Sequence, residues 1–312
     1  MFSKKDFAEV RQRIRPYIHK TDMICSRTIN EMTGNNLFIK PECLQKTGSF
    51  KIRGAAGKIT SLQGSNSKGL VTASSGNHGQ AVAYMAKAFN IKAAIVVPDN
   101  APEAKLRAIK AYGAEVVLVG PKSSERLEMA GKISQEMGYV FIPPYDDYDV
   151  IKGQGTIALE ILEWSENIDK IFVPVGGGGL LSGIAACIKG INPRVKVIGV
   201  EPRGSCCMYT SLKSGARTEI SPNTIADGLR TVIPGQLTFP LVQKYVDDLI
   251  LVEEAEIKQA MKIVMERMKV MIEPSGAVSV AAALKEEGRG LKLVAVVSGG
   301  NLDIMRISEL FA

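Results

Sequence analysis

Lys51 stands in the segment KTGSFKIRGAAG at 46–57, between Phe50 and Ile52 and beside small residues. An amine in apolar surroundings gives up its proton more readily than the roughly 10.4 of a free lysine implies, which suits Schiff-base chemistry. By composition alone, a surface lysine in a turn fits the segment equally. The tetraglycine Gly176, Gly177, Gly178 and Gly179 follows one expected strand, 170–175, and opens an expected helix, 180–189. Backbone amides without side chains at a helix N-terminus make a cradle for phosphate, because unsatisfied N–H groups and the positive dipole end face the anion.

A dinucleotide site is the rival reading of that loop, since the next expected strand ends near Glu201, a plausible ribose ligand. Yet GGGGLLSG puts Leu181 where the third glycine of G-x-G-x-x-G should fall, and it lacks the GK[ST] of a nucleotide P-loop. The loop by itself indicates phosphate, not nucleotide.

Two further segments carry polar groups at expected strand ends. In TASSGNHGQ at 72–80, hydroxyls, an amide and free backbone N–H groups at a helix start suit a carboxylate. His78 beside Ser74 and Ser75 does not make a hydrolase triad, because sequence neighbours rarely face one another and no G-x-S-x-G elbow is present. In VSGGN at 297–301, Ser298 can hydrogen-bond a ligand at the edge of a sheet or simply cap a loop.

These segments need a scaffold, and the order of elements supplies one. Short β-branched runs at 37–40, 70–73, 93–97, 115–119, 170–175, 196–200 and 291–297 alternate with helix-like stretches. One such stretch, 102–112, opens with a proline suited to a first helical turn and closes at Gly113. The pattern predicts an α/β chain built on parallel sheets. The rhythm breaks at Pro143–Pro144 and resumes at 170, which predicts two lobes with a ligand cleft between them. The methionine-bearing stretch 254–272 and the arginines at 11, 13 and 15 read as core packing and a solvated helix face.

Composition narrows the function. A length of 312 residues and 46% hydrophobic content fit one large or two ordinary globular domains. The net charge of +7 is spread along the chain, which favours an anionic ligand over nucleic acid. There is no signal-peptide stretch and no run long enough to cross a bilayer, so a cytoplasmic protein without a membrane partner is expected. Five cysteines lack the spacing of a disulfide framework or a CxxC motif, and two histidines cannot build a three-histidine zinc site.

Taken together, KTGSFKIRGA, SSGNHGQA, GQGTIALEIL, PVGGGGLLSGI, IADGL, MIEPSGA and SGGN resemble, in the same order, the pyridoxal-phosphate enzymes of fold type II. Within them the chain looks like the serine racemase and threonine dehydratase (ammonia-lyase) family. The resemblance implies two-lobed open twisted sheets with the cofactor in the interdomain cleft. Residues 1–59 and 147–312 would form the large cofactor-binding domain and 69–144 the small one.

Carried over residue by residue, Lys51 matches the lysine that binds pyridoxal 5'-phosphate and shuttles the Cα proton. Gly176–Gly179 match its phosphate cradle, Asn77 the partner of the ring hydroxyl, and Phe50 and Gly228 the two sides of the ring. Ser298 matches the serine at the pyridine nitrogen, a weaker proton holder than an aspartate, so the ring stabilises a carbanion only modestly. Ser74, Ser75, Gly76, Asn77 and His78 match the loop that receives the substrate carboxylate, and Arg126 resembles an assisting arginine. The implied activity is L-threonine or L-serine ammonia-lyase, giving 2-oxobutyrate or pyruvate plus ammonia. Ser75, at the place of the racemases' second serine, keeps amino-acid racemisation as the alternative. A small amino-acid substrate and a homodimer are also implied.

The resemblance further implies a divalent-cation site made by a Glu, a carbonyl four residues on and an Asp six residues on. Here the series reads Glu201, Ser205, Cys207. Loss of the hard oxygen ligand argues against Mg²⁺ or Ca²⁺ and leaves Glu201 as the remaining candidate. The chain stops soon after SGGN, so no regulatory domain and no feedback by isoleucine are expected.

Overall fold

Side chains of a strand alternate between the two faces of its sheet, and this alternation divides the core. Along β10 (Lys292–Val297), Leu293, Ala295 and Val297 enter one apolar cluster while Val294 and Val296 enter another. The same split recurs in β7 (Lys170–Pro174), where Phe172 points opposite to Ile171 and Val173. Strands apolar on both faces are what a parallel sheet covered by helices requires.

The structure, a computed structural model, describes residues 2–311 other than Asn66 and Pro102. Its remaining strands are β1 (Ile24–Cys25), β2 (Asn36–Pro41), β3 (Leu70–Ala73), β4 (Ala93–Pro98), β5 (Glu115–Val119), β6 (Val140–Phe141), β8 (Lys196–Pro202) and β9 (Asp248–Val252). One sheet has six strands in the order β1-β2-β10-β7-β8-β9, and the other has four in the order β5-β4-β3-β6. Among the described strands only β1 and β2 pair antiparallel. The α/β expectation therefore holds, and all seven expected strands form with ends shifted by at most two residues.

β1, β6 and β9 were not anticipated. Two-residue strands carry no period to detect, and β9 lies between helices as a short apolar run that fits either class. The helix expected over 254–272 ends at Met268, because Lys269 adopts a left-handed φ of 60°. Within it Ile257, Met261 and Val264 are buried and Met268 packs on the same cluster, so these two methionines serve the core, whereas Met265 is half-buried and Met271, beyond the helix end, is exposed. The helix expected over 102–112 runs Glu103–Ala111; its proline, Pro102, lies outside the described residues.

Three helices pack backbone against backbone where side chains are missing. A Cβ at Gly153, in the Tyr148–Trp164 helix, would stand 2.3 Å from the Arg53 carbonyl oxygen of the Lys51–Ser61 helix. A Cβ at Gly183, in the Gly179–Ile191 helix, would stand 2.3 Å from the Ile151 oxygen. The helix that begins at Lys51 and the helix that begins at the tetraglycine are thereby locked to a common neighbour.

A buried ionic cluster fixes the same region. The Arg53 guanidinium, fully buried, donates from Nε to Glu42 Oε2 and from Nη1 to Glu160 Oε1, both at 2.7 Å. Lys40 Nζ donates to Glu160 Oε2 at 2.6 Å, and Thr21 Oγ1 donates to Glu42 Oε1 at 2.7 Å. Two carboxylates facing two cations balance in charge, and nearly every donor and acceptor has a partner, which is what makes such burial tolerable. Desolvation lowers the Lys40 pKa despite both carboxylates. At Glu160 burial works upward, but Arg53 and Lys40 outweigh it and the net shift is downward.

Candidate active site

The loops that follow β3, β7 and β10 meet the start of the Lys51–Ser61 helix around one cavity of about 620 Å³. Carboxyl ends of parallel strands are where open α/β sheets hold ligands, and the volume lies in the range of about 300–1,000 Å³ usual for small-molecule sites. Lys51 is held in its wall by its neighbours. The Phe50 N–H donates to the Ser298 oxygen at 2.9 Å, and Ser49 bridges Gly299, so the lysine loop is sewn to SGGN. Lys51 Nζ donates to the Pro144 oxygen at 2.8 Å and lies 5.1 Å from the Phe50 ring centroid. Burial lowers its pKa to about 8, against the opposing pull of the Glu273 charge.

The tetraglycine turns β7 into the Gly179–Ile191 helix. Gly178 has a φ of +95°, and a Cβ on Gly177 would fall 2.5 Å from the Tyr145 ring. Glycine is required at the first for conformation and at the second for space. The helix N-terminus presents its amide ends to the cavity, and a loop without Cβ atoms lets a phosphate approach the backbone.

Across the cavity, the Asn77 amide is fixed from both sides. Its Nδ2 donates to Glu273 Oε1 at 2.7 Å, and its Oδ1 accepts from Asn301 Nδ2 at 2.8 Å. Ser275 links two other walls: its Oγ accepts the Gly228 N–H at 2.9 Å, and its carbonyl oxygen accepts from Ser298 Oγ at 3.3 Å. Ser74, Ser75 and Gly76 line the cavity before the Asn77–Ala88 helix, and a Cβ at Gly79 would meet the Ser74 oxygen at 2.1 Å. That contact keeps the turn tight. His78 also lines the cavity, but its ring is buried with Nε2 at 2.9 Å from the Ile142 oxygen. Burial, helped by the nearby Lys51 charge, lowers its pKa to about 3, so the imidazole is neutral at physiological pH. Arg126 reaches the wall with Nη1 donating to the Pro121 oxygen at 2.9 Å.

All of the proposed cofactor and substrate residues thus border one cavity. Glu201 does not border it. Its buried carboxylate accepts the Met208 N–H at 3.0 Å and the Tyr209 N–H at 2.7 Å, capping the Cys207–Ser214 helix. Burial raises its pKa to about 8 although both bonds oppose this. Ser205 Oγ donates to the Leu229 oxygen, and the Cys207 thiol, pushed up to about 12 mainly by burial, lies 3.8 Å from the Gly176 oxygen. A neutral thiol and a carboxylate occupied by amides do not suit a hard divalent cation. Among the described residues no group of three or more His, Cys, Asp or Glu is placed to hold a metal.

Sequence reasoning missed Tyr145, Glu273 and Asn301 as parts of the site. Glu273 sits in MIEPSGA and Asn301 in SGGN, so the motifs were visible, but nothing in their spacing ties either residue to Asn77. Tyr145 follows Pro143–Pro144, which reads as a chain breaker.

A lysine with a lowered pKa, a Cβ-free anion cradle and a ring-sized space lined by polar groups fit pyridoxal phosphate. The profile of the family described as pyridoxal-phosphate dependent enzyme matches residues 14–299. Serine racemase of Dictyostelium discoideum is 48% identical, over 98% of this chain and 97% of its own. L-threonine ammonia-lyase of Thermotoga maritima is 45% identical, over 99% of this chain and 78% of its own. The structure of maize serine racemase superposes with a TM-score of 0.94 at 42% identity, covering 99% of this chain and 96% of that one. The site and the likeness agree: this chain belongs to the pyridoxal-phosphate dependent enzymes.

Proposed function

We propose that the protein is an L-threonine/L-serine ammonia-lyase, with serine racemisation as its second reading. The observation that carries this is the placing of the Lys51 amine and the Ser74–His78 loop on one cavity. When bound, pyridoxal phosphate withdraws electron density from the Cα of an amino acid joined to it. Gly176–Gly179 would hold its phosphate, Asn77 its ring hydroxyl, Ser298 its pyridine nitrogen, and Phe50 and Gly228 the two sides of its ring.

Lys51 Nζ, with its lowered pKa, takes the Cα proton. The Ser74–His78 loop and Arg126 orient the substrate carboxylate. In the elimination the Cα–H bond breaks with its proton going to Lys51 Nζ, the Cβ–O bond breaks with its electron pair on oxygen, and the departing hydroxide takes up the proton that Lys51 has gained and leaves as water. The product enamine takes up water and yields a 2-oxo acid and ammonia. In racemisation Ser75 returns a proton to the other face of Cα, and its presence on the same cavity as Lys51 favours keeping that reading. The relatives support both: one is a serine racemase and another an L-threonine ammonia-lyase.

The two sheets support a large domain of 1–59 with 147–312 and a small domain of 69–144. A homodimer is proposed from the family resemblance alone. A cytoplasmic location is supported by five free cysteines. Among the described residues no helix is long and apolar enough to cross a membrane.

The deciding experiment incubates the enzyme with L-serine and with L-threonine and quantifies 2-oxo acid and D-amino acid together. Oxo acid in large excess establishes the ammonia-lyase. D-serine in excess overturns it in favour of the racemase.

A further inference from the structure

Between β6 and the Tyr148–Trp164 helix the chain runs along the cavity, and Asp146 leaves it to reach a different helix. Its carboxylate accepts the backbone N–H groups of Gln236 and Leu237, each at 2.8 Å, and of Thr238 at 3.3 Å. These amides open the Thr238–Tyr245 helix, so a negative group satisfies orphan donors at its positive end. Gly235 leaves room for this contact, since a Cβ there would stand 2.2 Å from Asp146 Oδ1.

Thr238 is fully buried and hands the constraint on. Its Oγ1 donates to the Gly177 oxygen at 2.6 Å, and the Gly235 N–H donates to the same oxygen at 3.3 Å. A trans peptide points its C=O and N–H in opposite directions. Holding the Gly177 carbonyl on Thr238 therefore turns the Gly178 N–H to the other side, where Gly176–Gly179 wall the cavity.

We propose that Asp146 and Thr238 are positioning residues for the cofactor's phosphate group. Asp146 anchors the start of the Thr238–Tyr245 helix, and Thr238 holds the Gly177–Gly178 peptide with its N–H presented to the phosphate. Neither residue touches the reacting atoms. The inference rests on the reading that the tetraglycine receives the phosphate, and it is independent of whether elimination or racemisation prevails.

The test titrates cofactor-free protein with pyridoxal phosphate and, separately, with pyridoxal, which lacks the phosphate, reading Schiff-base absorbance. Loss of one hydrogen bond to the loop predicts that Thr238→Val weakens pyridoxal-phosphate binding about tenfold and leaves pyridoxal binding unchanged. Thr238→Ser, which keeps the hydroxyl, restores the phosphate preference. Asp146→Asn shows the same phosphate-selective loss and decides the matter where Thr238→Val fails to fold. Equal weakening toward both ligands, or unchanged binding of pyridoxal phosphate, overturns the positioning role. A wild-type protein that does not distinguish the two ligands overturns the tetraglycine reading itself, and the positioning role with it.

Discussion

Lys51 Nζ and the Pro144 carbonyl oxygen, 93 residues apart in sequence, are 2.8 Å apart in space. The bond fixes the amine at the cavity without giving it a counter-charge, so burial dominates and the pKa falls to about 8. Above that pH the folded lysine is a neutral nucleophile, whereas an ordinary lysine stays protonated up to 10.5. In cofactor-free protein, reaction with a small amine-directed reagent should rise through a midpoint near 8. Glu273→Gln removes the charge that opposes the shift and should move the midpoint lower still. Between about 8 and 10.5 the unfolded chain holds a proton the folded chain has lost, so Lys51 makes the cofactor-free protein more stable as pH rises there. A midpoint near 10.5 would contradict the burial of this amine.

Lys51→Ala should give a folded, colourless protein that cannot form a Schiff base, with turnover reduced by at least about 10³. Absorbance after addition of pyridoxal phosphate, alongside circular dichroism, separates lost chemistry from lost fold.

Ser75→Ala should lower D-serine formation far more than 2-oxo acid formation, because only racemisation needs a proton donor opposite Lys51. The two products measured in one reaction give the ratio directly. An unchanged ratio would remove Ser75 from that role.

Arg53→Met leaves Glu42 and Glu160 buried with one cation, Lys40, to serve both. Breaking such a cluster from one side costs about 3–5 kcal/mol. Chemical denaturation should show that loss. Gly153→Ala, which drives a Cβ into the Arg53 carbonyl, should cost about 1–3 kcal/mol through forced separation of two helices.

Chelation with EDTA should leave both activity and melting temperature unchanged, since Glu201 serves as a helix cap and Cys207 supplies no hard oxygen. Strong activation by Mg²⁺ would show that the cap opens to a cation.

The local patterns of the sequence determined the parallel α/β strands, the tetraglycine at a helix start and the lysine among small residues. Those signals are periodicities and short segments, whose physics acts within a few residues. The tertiary structure alone decided that Glu273 and Asn301 hold Asn77, that Asp146 caps a helix 92 residues on, and that Glu201 is occupied by backbone amides. Each of these is a pairing of polar groups brought together when separate elements pack, and a side chain's partner is set by that packing, not by its own neighbours. The close helix contacts at Gly153 and Gly183 are of the same kind. A missing side chain is visible in the sequence, but the backbone that fills its place belongs to another element.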